Sequence, residues 1–261
     1  THPLDRPRST HATHRLRKLL GTSGFPFQLA VEQLIRDTSK THGWTIATRE
    51  HPWRRSNGDC GFLDLVPENE TWDAVYLVIE AKLQRSQTCL FLQPQRERDA
   101  QTRIRSRWTY QSMSEPALWG WDEWSTEPAS HECEFAVVDK NHGQQDGGQQ
   151  SLEAIARELL SGVDALAEEE LKLAATFPWP NQHWVHIPMI VTAGQLWVTK
   201  FDPREVSLED GVPRNAEFTK VPMVRFRRTL ATEIAPLAQA RHAEEARADQ
   251  ERTVLIVDVR H

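Results

Sequence analysis

Residues 75–82 have the sequence Val-Tyr-Leu-Val-Ile-Glu-Ala-Lys, and this stretch decides which fold the chain can adopt. Five apolar, mostly β-branched or aromatic residues in a row are typical of a strand that is buried on both faces. A carboxylate and an ammonium at the end of such a strand are costly to bury unless they are paired or bind a metal ion. Since residues two apart in a strand share a face, Glu80 and Lys82 are predicted to project side by side.

A second carboxylate interrupts the preceding apolar run, residues 61–66, at Asp64. Residues 67–74 have the composition of a hairpin connection, and a turn centred near Trp72 would place Asp64 opposite Glu80. Directly opposed side chains have Cβ atoms roughly 5 Å apart, so the two carboxylates repel each other unless a cation lies between them. Hard oxygen ligands with positions left for water and phosphate suit Mg²⁺. A slip of one residue in the register would destroy this site.

An acid on one strand followed by Glu-x-Lys on the next resembles the PD-(D/E)XK, or restriction-endonuclease-like, nuclease superfamily. The resemblance implies an α/β fold, with a mixed β-sheet core flanked by helices. It also implies an acidic residue on a helix before the first core strand. Residues 25–36 are predicted to form that helix, with Glu32 as the acid, and residues 42–47 to form the first strand. In the resembled fold a helix and a further strand follow the Glu-x-Lys strand. Residues 151–175 are predicted to form that helix and residues 186–192 that strand.

The chemistry that the resemblance implies is metal-dependent hydrolysis of phosphodiester bonds in nucleic acid by an endonuclease. DNA is the favoured substrate, although the sequence leaves DNA and RNA both open. Asp64 and Glu80 would bind Mg²⁺, which Mn²⁺ can replace, with the backbone carbonyl of Ala81 as a further ligand. Glu32 would complete the metal shell or hold a bound water. Lys82 would position the attacking water and stabilise the charge that develops in the transition state.

Basic segments are the candidate contacts to nucleic acid, although the formal net charge of the chain is −6. Arg54 and Arg55 precede the strand that carries Asp64, and residues 96–107 form the segment densest in arginine. If that segment is a helix, three of its arginines line one face and can grip phosphates; the alternative is a solvated, arginine-rich helix. The predicted contacts are Arg54, Arg55, Gln84, Arg96, Arg103 and Arg107.

The organisation predicted for the whole chain is a basic N-terminal tail, residues 1–20, followed by a single domain, residues 21–261. An insertion rich in Trp and Arg covers about residues 93–150. Its four tryptophans are expected to pack as a small satellite core in irregular structure, with base stacking as the alternative. Homodimer formation is plausible by analogy with nucleases that cut both strands.

The C-terminal part is predicted to add further strands. Residues 186–192 and 195–201 would form a hairpin about a turn at Ala193-Gly194. Residues 221–226 would form an edge strand, because Pro222 lacks an N–H. An exposed helix is expected at 233–251 and a last buried strand at 253–259, with the carboxylate of Asp258 facing solvent.

The composition predicts an ordinary soluble globular protein, with 39% hydrophobic and 26% charged residues. No apolar run reaches 18 residues, and no apolar stretch follows the basic start as in a signal peptide. Three cysteines without close spacing favour a reducing cytoplasm over a disulfide framework. Two other functions stay open: a catalytically silent binding module of the same fold, and a structural protein that docks a partner through its Trp-rich insertion.

Overall fold

The computed structural model describes residues 9–70, 74–82, 88–93, 102–112, 117–139, 151–176, 182–229 and 250–260. These residues form a mixed α/β structure with two sheets. The helices are α1 (Ser9–Thr22), α2 (Phe25–His42), α3 (Leu152–Thr176) and a short 3-10 helix (Pro203–Glu205). The strands are β1 (Thr45–Arg54), β2 (Cys60–Glu70), β3 (Ala74–Lys82), β4 (Thr88–Leu92), β5 (Arg103–Gln111), β6 (Leu118–Ser125), β7 (His131–Cys133), β8 (Phe135–Val138), β9 (Gln182–Thr192), β10 (Gln195–Lys200), β11 (Glu217–Val221), β12 (Met223–Thr229) and β13 (Glu251–Asp258).

The larger sheet has nine strands, of which seven follow the order β1-β2-β3-β9-β13-β12-β7. The first three are antiparallel to each other, whereas β3, β9 and β13 run parallel. The β5–β6 hairpin joins this sheet through an antiparallel pairing of β5 with β9. The smaller sheet has the order β11-β10-β4-β8. The predicted α/β class with a mixed sheet is therefore correct at this level.

The register of the β2–β3 hairpin is the one predicted from the sequence. Leu65 lies opposite Ile79 and Glu70 opposite Ala74, so paired residues are equidistant from position 72. The strands extend further than expected, however: within the predicted connection at 67–74, residues 67–70 belong to β2 and Ala74 to β3. Pro67 fits into β2 because its partner Ile46 lies beside an irregularity in β1.

Helices α2 and α3 cover opposite faces of the larger sheet and begin where local sequence signals place them. The hydroxyl of Ser151 accepts a hydrogen bond from the backbone N–H of Ala154, a cap of the first turn of α3. Helix α2 begins at Phe25 as predicted but continues to His42, where Gly43 ends it in a left-handed conformation with φ of 75°.

Two apolar clusters hold these layers together, one beneath each helix. The larger includes Leu63 and Val66 of β2 packed under α3. The smaller includes Leu65 of β2 and Ile79 of β3 packed under Val31 of α2. The apolar residues from Leu63 to Val66 and at 78–79 are therefore buried beneath one helix or the other, as the sequence predicted, whereas Phe62 of the same apolar run is exposed.

The predicted insertion at 93–150 is part of the sheets. Its residues supply β5 to β8, and the segment expected to be an arginine-rich helix is strand β5 from Arg103 onward. The condition that this segment is a helix is therefore not met from Arg103 onward. The spacing could not distinguish the two structures, because residues four apart share a face in a strand as well as in a helix. Three of its tryptophans (Trp119, Trp121 and Trp124) lie on β6 and Trp108 on β5, not in irregular structure.

Three predictions for the C-terminal part need correction. Strands β9 and β10 belong to different sheets, so the described residues form no hairpin at Ala193-Gly194. Pro222 separates β11 from β12, and β12 lies inside the larger sheet between β13 and β7. Asp258 ends the buried strand β13 but is fully buried and ion-paired with Arg260 rather than facing solvent.

Two further predictions concern the chain's basic start and the C-terminal helix. Residues 9–20 of the predicted tail lie in helix α1. The helix predicted at 233–251 lies almost entirely outside the described residues. None of the described helices is long and apolar enough to cross a membrane.

Candidate active site

The structure brings Asp64, Glu80 and Lys82 together where the C-terminal end of β3 lies beside the interior of β2. The carboxylate of Asp64 accepts a hydrogen bond of 2.7 Å from the backbone N–H of Ala81. The ammonium of Lys82 forms an ion pair with the carboxylate of Glu80, as expected for residues two apart on one strand. The predicted juxtaposition of the three side chains is therefore present.

Burial and mutual repulsion shift the acid–base properties of these groups. Burial, followed by the negative charge of Asp64, raises the pKa of Glu80 from 4.5 to about 7, although Lys82 opposes this. Burial also raises the pKa of Asp64, against the hydrogen bond from Ala81. Burial lowers the pKa of Lys82, but the attraction of Glu80 outweighs it and the net pKa is raised. Two carboxyl groups with raised pKa values thus share one ammonium. A second cation bound between them would stabilise their ionised forms.

Glu32 lies on the helix face that packs against the sheet and is 6% exposed, but its described partners are arginines. Its carboxylate is bound by Arg36 at 2.7 Å and lies 3.6 Å from Arg49. No described contact joins Glu32 to Asp64 or Glu80. Its role in a metal shell stays a prediction, and in this conformation its charge is already balanced.

Three residues that the sequence did not single out surround the site. Gln28, one turn before Glu32 on α2, donates hydrogen bonds from its amide to the backbone carbonyl of Asp64 at 3.1 Å and to the carboxylate of Glu50. The charge of Glu50 raises the pKa of Asp64, and the charge of Glu158 on α3 raises the pKa of both Asp64 and Glu80. Glu158 directly precedes the buried Leu159 and so lies at the edge of the apolar face of α3. This position was the only feature of the sequence that could have indicated that Glu158 approaches the sheet.

The predicted nucleic-acid contacts are dispersed. Arg54 is exposed at the end of β1 and lines a cleft of about 580 Å³ between the β1–β2 hairpin and α3, which Lys172 also lines. Arg55 follows it and lies close enough to Arg107 to lower the pKa of that guanidinium, after burial as the main cause. The Arg103 side chain is 58% exposed and pairs with Glu123 at 3.4 Å.

Arg107 is an interior residue, contrary to the surface role predicted for it. It is 2% exposed, its guanidinium lies 4.2 Å from the centre of the Trp119 ring, and its Nε is 3.7 Å from Asp164. A phosphate cannot reach it in this conformation. Gln84 and Arg96 lie outside the described residues.

A divalent ion fits the donor set of Asp64 and Glu80 only with water completing its shell. Within the described parts of the chain, no group of three or more His, Cys, Asp or Glu side chains is arranged to hold a metal. Mg²⁺ commonly binds through one or two carboxylates and keeps several waters. The carboxylates of Asp64 and Glu80 are therefore sufficient protein ligands for Mg²⁺, provided that the Lys82 ammonium moves away from the Glu80 carboxylate.

Comparisons of the chain with family models, with curated proteins and with solved structures find no match. The assignment of a function therefore depends on the residues of the site and on the order of the elements that carry them.

Proposed function

We propose that the protein is a metal-dependent nuclease with a restriction-endonuclease-like core, which hydrolyses phosphodiester bonds of nucleic acid at Asp64, Glu80 and Lys82. The observation that carries the proposal is the convergence of these three side chains where the C-terminal end of β3 lies beside the interior of β2. A partly buried ammonium beside two opposed carboxylates is unusual in a sheet, because each charge costs free energy to bury unless it has a partner.

The order of the elements supports the same proposal. Helix α2 precedes β1, β2 and β3, and helix α3 and strand β9 follow, which is the order that the resemblance implied. Strand β9 lies beside β3 in the sheet, parallel to it, with Thr192 opposite Lys82. Strands β1, β2, β3 and β9 thus form a continuous mixed sheet with helices on both faces, and the site lies at one end of it.

The residues of the site divide the chemistry between them. Asp64 and Glu80 would hold Mg²⁺ or Mn²⁺, which when bound supplies Lewis-acid activation of the phosphate and of water. The raised pKa of Lys82 keeps its ammonium charged at neutral pH, so it serves as an electrostatic group rather than a proton acceptor. Such a charge, partly buried and already in place, stabilises the negative charge that develops on a phosphate undergoing attack.

A cleavage assay tests the proposal. Supercoiled plasmid, linear duplex, single-stranded DNA and RNA are incubated with the purified protein in Mg²⁺, in Mn²⁺ and in EDTA. Cleavage is expected with either metal and not in EDTA. Near-isosteric variants Asp64→Asn, Glu80→Gln and Lys82→Met should each lower the rate by at least about 100-fold, the usual effect of removing an electrostatic catalytic group.

Glu209→Gln is the matched control for this assay, because Glu209 is an exposed acid outside the site. It should cleave like the wild type. Cleavage that survives in Lys82→Met and Asp64→Asn would exclude this site. Absence of cleavage with all four substrates, together with no heat of Mn²⁺ binding in calorimetry, would favour the silent binding module instead.

A further inference from the structure

The conformation of the chain around Asp64 departs from a regular β-ladder. Leu63 and Val66, three residues apart, both pack in the cluster beneath α3, whereas Leu65 packs beneath α2. In a regular strand Leu63 and Leu65 would share a face. The alternation of side chains therefore breaks at Asp64, and this break directs both Leu63 and the Asp64 carboxylate away from the α2 side.

The neighbouring strand is distorted at the same level. On either side of Glu50, β1 pairs with β2 in the same register: Arg49 lies opposite Leu65 and His51 opposite Leu63. This register places Glu50 opposite Asp64. Glu50 has φ of 49° and is the only non-glycine residue in the described chain with positive φ. A left-handed conformation is unfavourable for a glutamate, so the surrounding structure must hold it there.

Gln28 is the residue that contacts both distorted positions. It is 8% exposed on the face of α2 that packs on the sheet. Its amide nitrogen donates one hydrogen bond to the carbonyl of Asp64 and the other to the carboxylate of Glu50. Both donors of a single buried amide are thus used to join α2, β1 and β2 at Glu50 and Asp64, where the alternation of side chains breaks.

We propose that Gln28 and Glu50 are positioning residues that hold the irregular β1–β2 ladder in the conformation that presents the Asp64 carboxylate to Ala81 and Glu80. Glu50 accepts from Gln28 and is thereby kept in its left-handed conformation. The carbonyl of Asp64 is fixed by the same amide, and the side chain then reaches the N–H of Ala81 at 2.7 Å. For catalysis this inference rests on the proposed function, but the geometry can be tested without any activity.

Hydrogen exchange at the Ala81 amide provides that test, because this N–H is donated to Asp64. In Gln28→Met, which keeps side-chain length but removes the donors, the Ala81 amide should exchange at least about tenfold faster. Glu50→Val should have the same effect, since a β-branched residue resists positive φ. Glu50→Gln should leave exchange close to that of the wild type, because its side-chain oxygen still accepts from Gln28.

Gln33→Met is the matched control: Gln33 is an exposed glutamine of the same helix that bonds to Asp37. It should not alter Ala81 exchange, and the amide of Val254 in the far part of the sheet should be unaffected in every variant. If Gln28→Met does not fold, Gln28→Asn, which shortens the side chain by one methylene, replaces it. Unchanged Ala81 exchange in both the Gln28 variant and Glu50→Val overturns the inference.

The kinetic constants kcat and KM distinguish a positioning role from a purely structural one. If the wild type cleaves nucleic acid, Gln28→Met should lower kcat at least about tenfold with little change in KM, whereas Glu50→Gln should retain most of the rate. Equal loss in Glu50→Gln and Glu50→Val would contradict the role given to the Gln28–Glu50 hydrogen bond. If the wild type does not cleave, the proposed function fails, while the exchange data still decide whether Gln28 and Glu50 position Asp64.

Discussion

Replacing Glu80 by glutamine should stabilise the protein at pH 8, although the change removes an ion pair. The pKa of Glu80 is about 7 in the folded chain against an ordinary value of 4.5. Folding therefore takes up a proton between these values. The stability associated with the neutral carboxyl is fully present below about pH 4.5 and is lost as the pH rises through about 7.

The magnitude follows from the interval between the two pKa values. At about 1.4 kcal/mol per pH unit, the ionised carboxylate costs the folded state roughly 3 kcal/mol at pH 8. This cost is already net of the ion pair with Lys82, because the attraction of Lys82 opposes the rise of the Glu80 pKa. The variant should thus gain about 3 kcal/mol at pH 8, or about 6–12 °C in Tm for a chain of this size.

Urea denaturation of both proteins at pH 5 and pH 8, with and without Mg²⁺, measures this difference. At pH 5 the gain should shrink below about 1 kcal/mol, because Glu80 is then neutral in the folded wild type. Mg²⁺ should narrow the gap at pH 8 by stabilising the ionised wild-type site. Glu209→Gln should change stability by less than about 0.5 kcal/mol at either pH. A gain of the same size at pH 5 and pH 8, or none at pH 8, would refute this reasoning.

Two further changes test the packing of the fold, one beneath α3 and one in the far part of the larger sheet. Gly162→Ala places a Cβ atom 2.6 Å from Cδ2 of buried Leu63, so we expect a loss of about 1–3 kcal/mol in denaturant titrations even though alanine favours helices; Gly21→Ala, which meets nothing within 4 Å, should not destabilise. Arg225→Gln removes a buried guanidinium that donates to the carbonyls of Ser130 at 2.9 Å and Arg103 at 2.6 Å. Because both carbonyls lose a buried donor, the change should cost about 2–5 kcal/mol, and a loss below about 1 kcal/mol would show that these hydrogen bonds are dispensable.

The register of the β2–β3 hairpin was predictable from two apolar runs separated by a polar connection. Only one pairing of the two strands buries the apolar side chains of both runs. Helix α3 was predictable from its apolar period and from Ser151 at its start. These features depend on neighbours in sequence, and the physical rules that govern them are local.

The errors arose where partners are distant in sequence or where one pattern suits two structures. The spacing of Arg103 and Arg107 suits a helix face and a strand face equally, so the spacing could not choose between them. Pro222 was assigned to an edge strand, yet it lies in the break between two strands, where its missing N–H interrupts no ladder. Asp258 is buried because Arg260 folds back to pair with it.

The surroundings of the site were the least accessible from sequence. Nothing in the residue order marks Glu50 as left-handed, because that conformation depends on Gln28 from another element. Glu158 reaches the site only through the packing of α3 on the sheet. The chain thus predicts which groups converge, but the groups that orient them become evident only from the tertiary structure.

The most direct test of the central claim is the single-turnover cleavage rate of end-labelled DNA by the wild type and by Lys82→Met, measured across Mg²⁺ concentrations. We expect a metal-dependent rate in the wild type that falls at least about 100-fold in Lys82→Met. Calorimetry should still show Mn²⁺ binding to that variant, since Asp64 and Glu80 remain. Equal rates in the two proteins, or cleavage that persists in EDTA, would contradict the assignment of the site.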